Sequence, residues 1–132
     1  MTLAWALNNY IFNCLCDFRD NAVHSEVISI NIFCLPQLPL KEELVTVLTQ
    51  HESVRIERII NTGQVSDWYD QDEAEFVVLL EGNAEIEYGN GETTAMVRGD
   101  TLMIKPHERH RVSRTSVEPP CVWLCVFWRD DR

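Results

Sequence analysis

Residues 75–104 read EFVVLLEGNAEIEYGNGETTAMVRGDTLMI, and this stretch decides the fold. It alternates short runs of apolar and β-branched residues with turn residues, a pattern typical of consecutive antiparallel strands. The segment YGNGE at 88–92 supplies residues that accept a positive φ, which is the strongest hairpin signal in the chain. Gly99 and Asp100 mark a second turn. The stretch therefore predicts four strands, at 75–81, 83–88, 93–98 and 101–104.

The sequence on both sides continues this pattern. Four further strands are predicted, at 54–60, 66–71, 110–115 and 121–128. Residues 40–48 instead carry apolar side chains at helical spacing behind two prolines, which predicts a short helix that ends near Gln50. About eight short strands with one leading helix indicate an all-β sandwich or closed barrel. The length of 132 residues fits one domain.

Composition excludes several classes of partner. The formal charge is −10, from 21 acidic and 11 basic residues, so no basic surface is expected for nucleic acid or for an anionic membrane. Five cysteines without a CxxC pair favour reduced thiols in the cytoplasm over a disulfide framework. Residues 3–17 are fairly apolar, but asparagines interrupt them and no basic residue precedes them. They are interpreted as a cytosolic N-terminal extension rather than a signal peptide or a membrane span.

The segment from Gly63 to Arg114 resembles the cupin family, whose small barrels are recognised by two motifs. Five residues stand at motif positions: Gly63, Glu75, Gly82, Gly99 and His110. The amino-acid sequence of the segment is similar to those of a bacterial subgroup of small, single-domain, RmlC-like cupins. The resemblance implies a double-stranded β-helix, or jelly-roll barrel, here with the short N-terminal helix in front. It divides the chain into an N-terminal extension (1–30), a lead-in segment with the helix (31–52) and the barrel (53–132).

The departures from the motifs bear on metal binding. In a cupin, the resemblance implies, three histidines and a glutamate converge on one divalent metal inside the barrel. Here Tyr69 and Gln71 stand at two of the histidine positions, and Arg114 replaces an asparagine. Only His110 matches a histidine ligand position, and His107 is expected in a turn at the barrel rim.

Strand alternation predicts which side chains face the barrel interior, because residues i and i+2 share a face. Glu75 points inward. The other acidic residues nearby form a solvated rim: Asp67, Asp70, Asp72 and Glu73. Arg109 and Arg111 point outward, where surface ion pairs are expected. The predicted interior set is Tyr69, Gln71, Glu75, His110 and Arg114, with Arg58 and Trp123 possible on neighbouring strands.

Two interpretations of this set remain open. In the first, Gln71, Glu75 and His110 hold one divalent ion (Zn, Mn, Fe or Ni), with Tyr69 nearby as a proton donor. In the second, no metal is bound, and Glu75 pairs with Arg114 or hydrogen-bonds His110, because a buried carboxylate must be paired or neutralised.

Two functions follow from these interpretations. One is a small enzyme of lyase, isomerase or oxygenase type, with Tyr69, Glu75 and His110 as catalytic residues. Its polar metabolite would contact Tyr69, Gln71, Arg114 and Trp123. The alternative is a non-catalytic, metal-free ligand-binding or interaction protein. The apolar last strand and the apolar N-terminal segment also predict a homodimer.

Overall fold

The computed structural model describes residues 30–130, and its regular structure there is all β. The eight strands are β1 (Leu44–His51), β2 (Val54–Asn61), β3 (Ala74–Glu81), β4 (Asn83–Tyr88), β5 (Thr93–Val97), β6 (Thr101–Ile104), β7 (His110–Thr115) and β8 (Cys121–Trp128). Nothing in residues 30–130 forms a helix that could cross a membrane. The predicted N-terminal extension lies outside the described residues, apart from Ile30.

The chain divides into two compact units, Met1–Leu38 and Pro39–Arg132. The described part of the first, residues 30–38, contains a turn in which the Cys34 N–H donates to the Asn31 carbonyl at 2.9 Å. All eight strands belong to the second unit.

The strands form two antiparallel sheets. The larger sheet has the order β1-β2-β8-β3-β6, and the smaller has the order β5-β4-β7. Both sheets contribute to one core, whose buried members are Val77, Leu79, Ala84, Ile86, Met96, Ile104, Cys121, Trp123, Cys125 and Phe127. The predicted all-β fold is therefore confirmed.

The burial pattern follows from the sequence of each strand. On β3, Val77 and Leu79 are buried, whereas Phe76, which points to the other face, is exposed. This is expected for a strand with one face on the core. β8 lies in the middle of the large sheet and reads CVWLCVFW, almost without polar residues. A strand with neighbours on both sides and a largely covered surface has this composition.

The helix predicted over residues 40–50 is wrong, because residues 44–51 form β1. The segment VTVLT contains four β-branched residues, which fit an extended strand better than a helix. β1 pairs with β2 from Leu44↔Ile60 to His51↔Val54, through a tight turn in which Glu52 has a φ of 45°. Pairing with β2 therefore overrides a helical spacing that rested on few residues.

The strand predicted over 66–71 is also wrong. Residues 62–73 form the connection from β2 to β3, and Tyr69 makes only an isolated bridge to His110 of β7. The Ser66 N–H donates to the Val112 carbonyl at 2.9 Å, so this connection fastens onto the smaller sheet. The other seven predicted strands are present with ends within one residue of the prediction.

Gly82 joins β3 to β4 at a place where no side chain fits. Its φ is +88°, and an added Cβ would lie 2.7 Å from the Pro120 carbonyl oxygen and 2.9 Å from Cys121 Cα. Gly91, in the β4–β5 hairpin, has the same φ of +88° but no atom within 4 Å of an added Cβ. A side chain would therefore meet backbone strain at both glycines, but a steric conflict only at Gly82.

We expect Gly82→Ala to lower the free energy of unfolding by about 3 kcal/mol, because left-handed strain of about 1–2 kcal/mol adds to overpacking of about 1–3 kcal/mol. Gly91→Ala should cost only the strain, about 1 kcal/mol. Urea denaturation of both variants beside the native protein measures the difference. Equal losses in the two variants would contradict the steric account of Gly82.

Candidate functional site

The inner face of the large sheet places charged and aromatic side chains side by side. The register pairs Arg55 of β2 with Phe127 of β8, and Phe127 with Glu75 of β3. One row further along, Glu57 of β2 lies opposite Cys125 of β8. Because residues paired across strands share a face, both rows point to the same side of the sheet.

These rows form part of the wall of a cavity of about 230 Å³. Ionisable side chains in the wall are Glu43, Arg55, Glu57, Tyr69, Glu75, His110 and Cys125. The neutral polar side chains Asn61, Ser66 and Gln71 and the indole of Trp123 also line it. A concave space with a few converging polar groups is the expected form of a small-molecule site.

Glu75 is the most deeply buried of the carboxylates in the wall, with 8% of the residue exposed. The Gln71 side-chain amide donates to its Oε2 at 3.1 Å. Burial raises the pKa of Glu75 above its ordinary value, and the amide of Gln71, the nearby His110 and the thiol of Cys125 partly oppose this rise. Glu75 therefore keeps its proton to a higher pH than an exposed glutamate.

His110 presents one ring nitrogen to the cavity. Its Nδ1 lies 2.7 Å from the Glu108 carbonyl oxygen, which can only accept, so Nδ1 carries a proton. Its Nε2 lies 3.8 Å from Glu75 Oε2, too far for a hydrogen bond. The His110 side chain is only 5% exposed. In the neutral imidazole, Nε2 is thus a buried acceptor beside a buried acid.

Tyr69 lies where the cavity meets solvent, since it lines the wall and is 42% exposed. Its backbone and that of His110 exchange two hydrogen bonds, of 2.8 and 3.1 Å. Its ring centroid lies 5.6 Å from the imidazole of His110. Partial burial, together with the charges of Glu43 and Glu75, raises the pKa of the Tyr69 phenol, so this hydroxyl is a proton donor at neutral pH.

A second polar chain starts at Trp123 of β8. Its indole Nε1 donates to Asn61 Oδ1 at 2.6 Å, and Asn61 Nδ2 donates to Glu43 Oε2 at 2.6 Å. These bonds orient the Trp123 ring in the wall and hold Glu43 at the cavity. Asn61 ends β2 and Glu43 directly precedes β1, so the β1–β2 pairing brings them together.

Arg55 organises the opposite part of the wall. It donates Nε to Glu57 at 2.8 Å and binds both carboxylate oxygens of Glu73, at 2.9 and 3.1 Å. Its guanidinium lies 4.4 Å from the ring centroid of Phe127. Glu73, expected on the solvated rim, is instead held against β2, with its side chain 16% exposed.

The comparisons with known proteins agree with this fold. The cupin domain family matches residues 57–127. The protein is a cupin. A Ralstonia eutropha JMP134 protein described as a "putative mannose-6-phosphate isomerase" is 36% identical, with a TM-score of 0.71, over 76% of this chain and 96% of that chain. Comparison with curated proteins gives no match.

Two more distant structures share the fold. A cupin superfamily protein from Desulfitobacterium hafniense DCB-2 is 18% identical, with a TM-score of 0.66, over 84% of this chain and 97% of that chain. A conserved protein of unknown function from Streptococcus pyogenes is 19% identical, with a TM-score of 0.65, over 86% and 95%. At these identities the likeness extends to the fold alone.

Arg114 does not enter the barrel of this cupin, contrary to the prediction. Its guanidinium is exposed and donates to Asn83 Oδ1 at 2.7 Å, so it is not the partner of Glu75. The cause is a β-bulge: Glu85 pairs with Arg114, but the next residue of β4, Ile86, pairs with Val112. One extra residue in β7 breaks the alternation that starts at His110. Arg58 is buried, but it lies on the other face of β2 and does not line the cavity.

The outward-facing residues lie where alternation predicts. His107 is an exposed turn residue, with a φ of 60° and its Nδ1 2.8 Å from Asp70 Oδ1. Arg111 forms an ion pair with Glu87 at 2.6 Å. The guanidinium groups of Arg109 and Arg111 lie 4.3 and 4.7 Å from the ring centroid of Trp68.

Glu43, Arg55 and Glu57 were missed from the sequence. Alternation along β2 could have identified Arg55 and Glu57, since both share a face with Asn61. Glu43 cannot be placed in this way, because the apolar spacing of the segment that follows it predicts a helix. The structure brings together Tyr69, Gln71, Glu75, His110 and Trp123 and excludes Arg114.

The donor set does not fit the divalent metal that the family resemblance implies. Residues 30–130 contain no group of three or more His, Cys, Asp or Glu side chains arranged for a metal. Gln71 directs its amide nitrogen at Glu75 instead of offering an oxygen beside it. One imidazole and one carboxylate fall short of the three protein ligands typical of a catalytic zinc site.

The raised pKa of Glu75 makes stability depend on pH. Protonation is favoured in the folded state, so the stabilisation is complete below the ordinary pKa of 4.5 and is lost as pH rises through the higher, folded value. Each tenfold difference in proton affinity corresponds to about 1.4 kcal/mol. Glu75→Gln cannot ionise, so its stability relative to the native protein should rise across this window.

Urea denaturation between pH 4 and pH 9 measures this effect. Leu79→Ala, on the same strand but without a titrating group, should lower stability by a similar amount at every pH and serves as the control. A Glu75→Gln difference that does not change with pH would contradict the account.

Metal content is expected to be substoichiometric. Elemental analysis of protein purified without chelator or nickel affinity should find less than one metal per chain, and EDTA should leave the thermal midpoint unchanged. A stoichiometric metal that is lost from both Gln71→Ala and His110→Ala would reverse this expectation. Loss from His107→Ala instead would locate the ion at the rim.

Proposed function

We propose that this cupin binds a small polar metabolite in its barrel cavity and that Glu75 and His110 move a proton on it. The observation that carries the proposal is a buried acid whose Oε2 lies 3.8 Å from a buried imidazole Nε2, with both residues lining one cavity. A hydroxyl of a ligand could be bonded by both groups at once.

The two groups suit opposite roles in proton transfer. Burial raises the pKa of Glu75, so its carboxyl keeps a proton to a higher pH than an exposed glutamate and can donate it to a ligand. His110 has a free Nε2 that can accept one, since its Nδ1 is fixed by the Glu108 carbonyl. Gln71 orients Glu75 through its amide. The Tyr69 phenol supplies a third proton-bearing group at the cavity mouth.

The name of the Ralstonia relative is compatible with this chemistry. Isomerisation of a sugar moves a proton between neighbouring atoms, which requires a donor and an acceptor on the enzyme. The 36% identity covers 96% of that relative, so an isomerase activity is a candidate for the present chain.

A non-catalytic binding protein is the second candidate. It is favoured by the protein partners that Glu75 already has, namely the Gln71 amide and the Cys125 thiol. A satisfied polar cluster can orient a ligand without reacting with it.

The homodimer and the cytoplasmic location predicted from the sequence stay predictions. Light scattering, which measures the molar mass in solution, would test the homodimer.

We expect polar metabolites that raise the thermal midpoint of the native protein to lose that effect in His110→Asn. This change removes the Nε2 acceptor at the cavity. His107→Asn serves as the matched control, because His107 is exposed and outside the cavity. Thermal-shift screening of a metabolite library against the three proteins makes the comparison. Stabilisation that persists in His110→Asn but is lost in His107→Asn would contradict the location.

Deuterium incorporation separates the two candidates. A bound metabolite that exchanges a carbon-bound hydrogen with D₂O in the native protein, but not in Glu75→Gln, indicates the enzyme. Binding without exchange in either protein indicates the non-catalytic alternative. NMR of the ligand follows the exchange directly.

A further inference from the structure

The cavity wall carries more negative than positive charge. Its carboxylates are Glu43, Glu57 and Glu75, and its only arginine or lysine among residues 30–130 is Arg55. Even with Glu75 protonated, the formal charges of Glu43 and Glu57 give two negative charges against the one positive charge of Arg55. A wall of low dielectric constant around such charges attracts cations and repels anions.

Arg55 does not offset this excess for an incoming anion. Three of its donor atoms are engaged by two carboxylates, Glu57 and Glu73. The charges of these two partners already exceed its own. A phosphate would have to displace Glu57 or Glu73 to reach the guanidinium, and both are largely buried, at 12% and 16% side-chain exposure.

The three carboxylates act on the same interior space. Beyond the effect of burial, the charges of Glu75, Glu57 and Glu43 all raise the pKa of the Cys125 thiol. Glu43 and Glu75 also raise the pKa of the Tyr69 phenol at the mouth. The negative potential therefore extends from the mouth to the floor formed by β8 and is not confined to the rim.

Two of these carboxylates retain an oxygen for a ligand. Within residues 30–130, Glu43 uses Oε2 for the Asn61 amide, and Glu57 uses Oε1 for Arg55. No described residue donates to the second oxygen of either group. His110, with a 5% exposed side chain, likewise leaves Nε2 without a hydrogen bond. The cavity thus offers buried acceptors and few free donors.

Aromatic side chains complete a wall suited to a cation. Trp123, Phe127 and Tyr69 line the cavity. One cation is already bound in this manner, because the Arg55 guanidinium lies 4.4 Å from the Phe127 ring centroid. Carboxylates combined with aromatic faces are the usual means of recognising an ammonium group.

We infer that the ligand of this cavity is a small metabolite with a protonated amine, which the free oxygens of Glu43 and Glu57 bind. The inference rests on the proposed function, since the remainder of the ligand faces Glu75 and His110. It differs from what the Ralstonia relative's name states, because a phosphate would meet carboxylates here.

Two sets of compounds, each with one carbon skeleton and different charges, test the inference. The first is 1,4-diaminobutane, 1,4-butanediol and succinate; the second is glucosamine, glucose and glucose 6-phosphate. The indole N–H signal of Trp123 in ¹⁵N-labelled protein reports the cavity, and the indoles of Trp68 and Trp128, which do not line it, serve as internal controls. EDTA is present so that metal ions do not compete.

The amine of at least one set should shift the Trp123 signal saturably, with an affinity tenfold or more above that of its neutral counterpart. Added salt should weaken this binding. Glu43→Gln and Glu57→Gln should each lower the amine affinity about tenfold. Glu92→Gln, in the exposed β4–β5 hairpin, makes the same charge change outside the cavity and should keep the native affinity.

Other outcomes overturn the inference. If neutral or anionic compounds bind at Trp123 as tightly as the amines, the amine is excluded while the proposed metabolite site stands. If none of the six compounds shifts Trp123, both the amine and these scaffolds are rejected, and the library screen decides the site independently. If Glu57→Gln misfolds through loss of the Arg55 contact, Glu43→Gln decides, since glutamine can still accept from Asn61.

Discussion

The pairing of β8 with both β2 and β3 is the constraint on which the site depends. β2 and β8 stay in register over eight residues without a break, from Val54↔Trp128 to Asn61↔Cys121. The backbone hydrogen bonds of this pairing determine which β2 side chains lie beside which β8 side chains. Arg55, Phe127 and Glu75 form one row for this reason, and a slip of one residue would turn the whole row away from the cavity.

Burial of charge inside the barrel is balanced locally. Arg55 donates hydrogen bonds to Glu57 and Glu73, and the Asn61 amide donates one to Glu43. The remaining carboxylate, Glu75, has a raised pKa and so holds its proton more tightly. Each solution avoids a bare ion in an apolar space. The same arrangement leaves acceptor atoms facing the cavity, so the requirements of folding also determine which polar atoms line it.

Alternation along strands gave correct positions where the strands are regular and failed where they are not. Glu75 could be placed inside the barrel because β3 is regular from Ala74 to Leu79. Arg114 could not, because the β7 bulge depends on pairing with β4 and leaves no trace in the local pattern. β1 was mistaken for a helix because its apolar spacing fits both structures, and only its pairing with β2 decides. Glu43 was missed as a result.

The connection between β2 and β3 closes one side of the cavity with few bonds. Its link to β7 consists of the Tyr69–His110 bridge, two bonds between Ser66 and Val112, and the bond from the Thr115 hydroxyl to the Gln64 carbonyl, whereas the sheets beneath it are held by full strand ladders. Local opening costs least where backbone bonds are fewest. Under the proposed function, a metabolite would enter and leave by transient release of this connection while the barrel stays folded, and its residence time would follow the strength of these contacts.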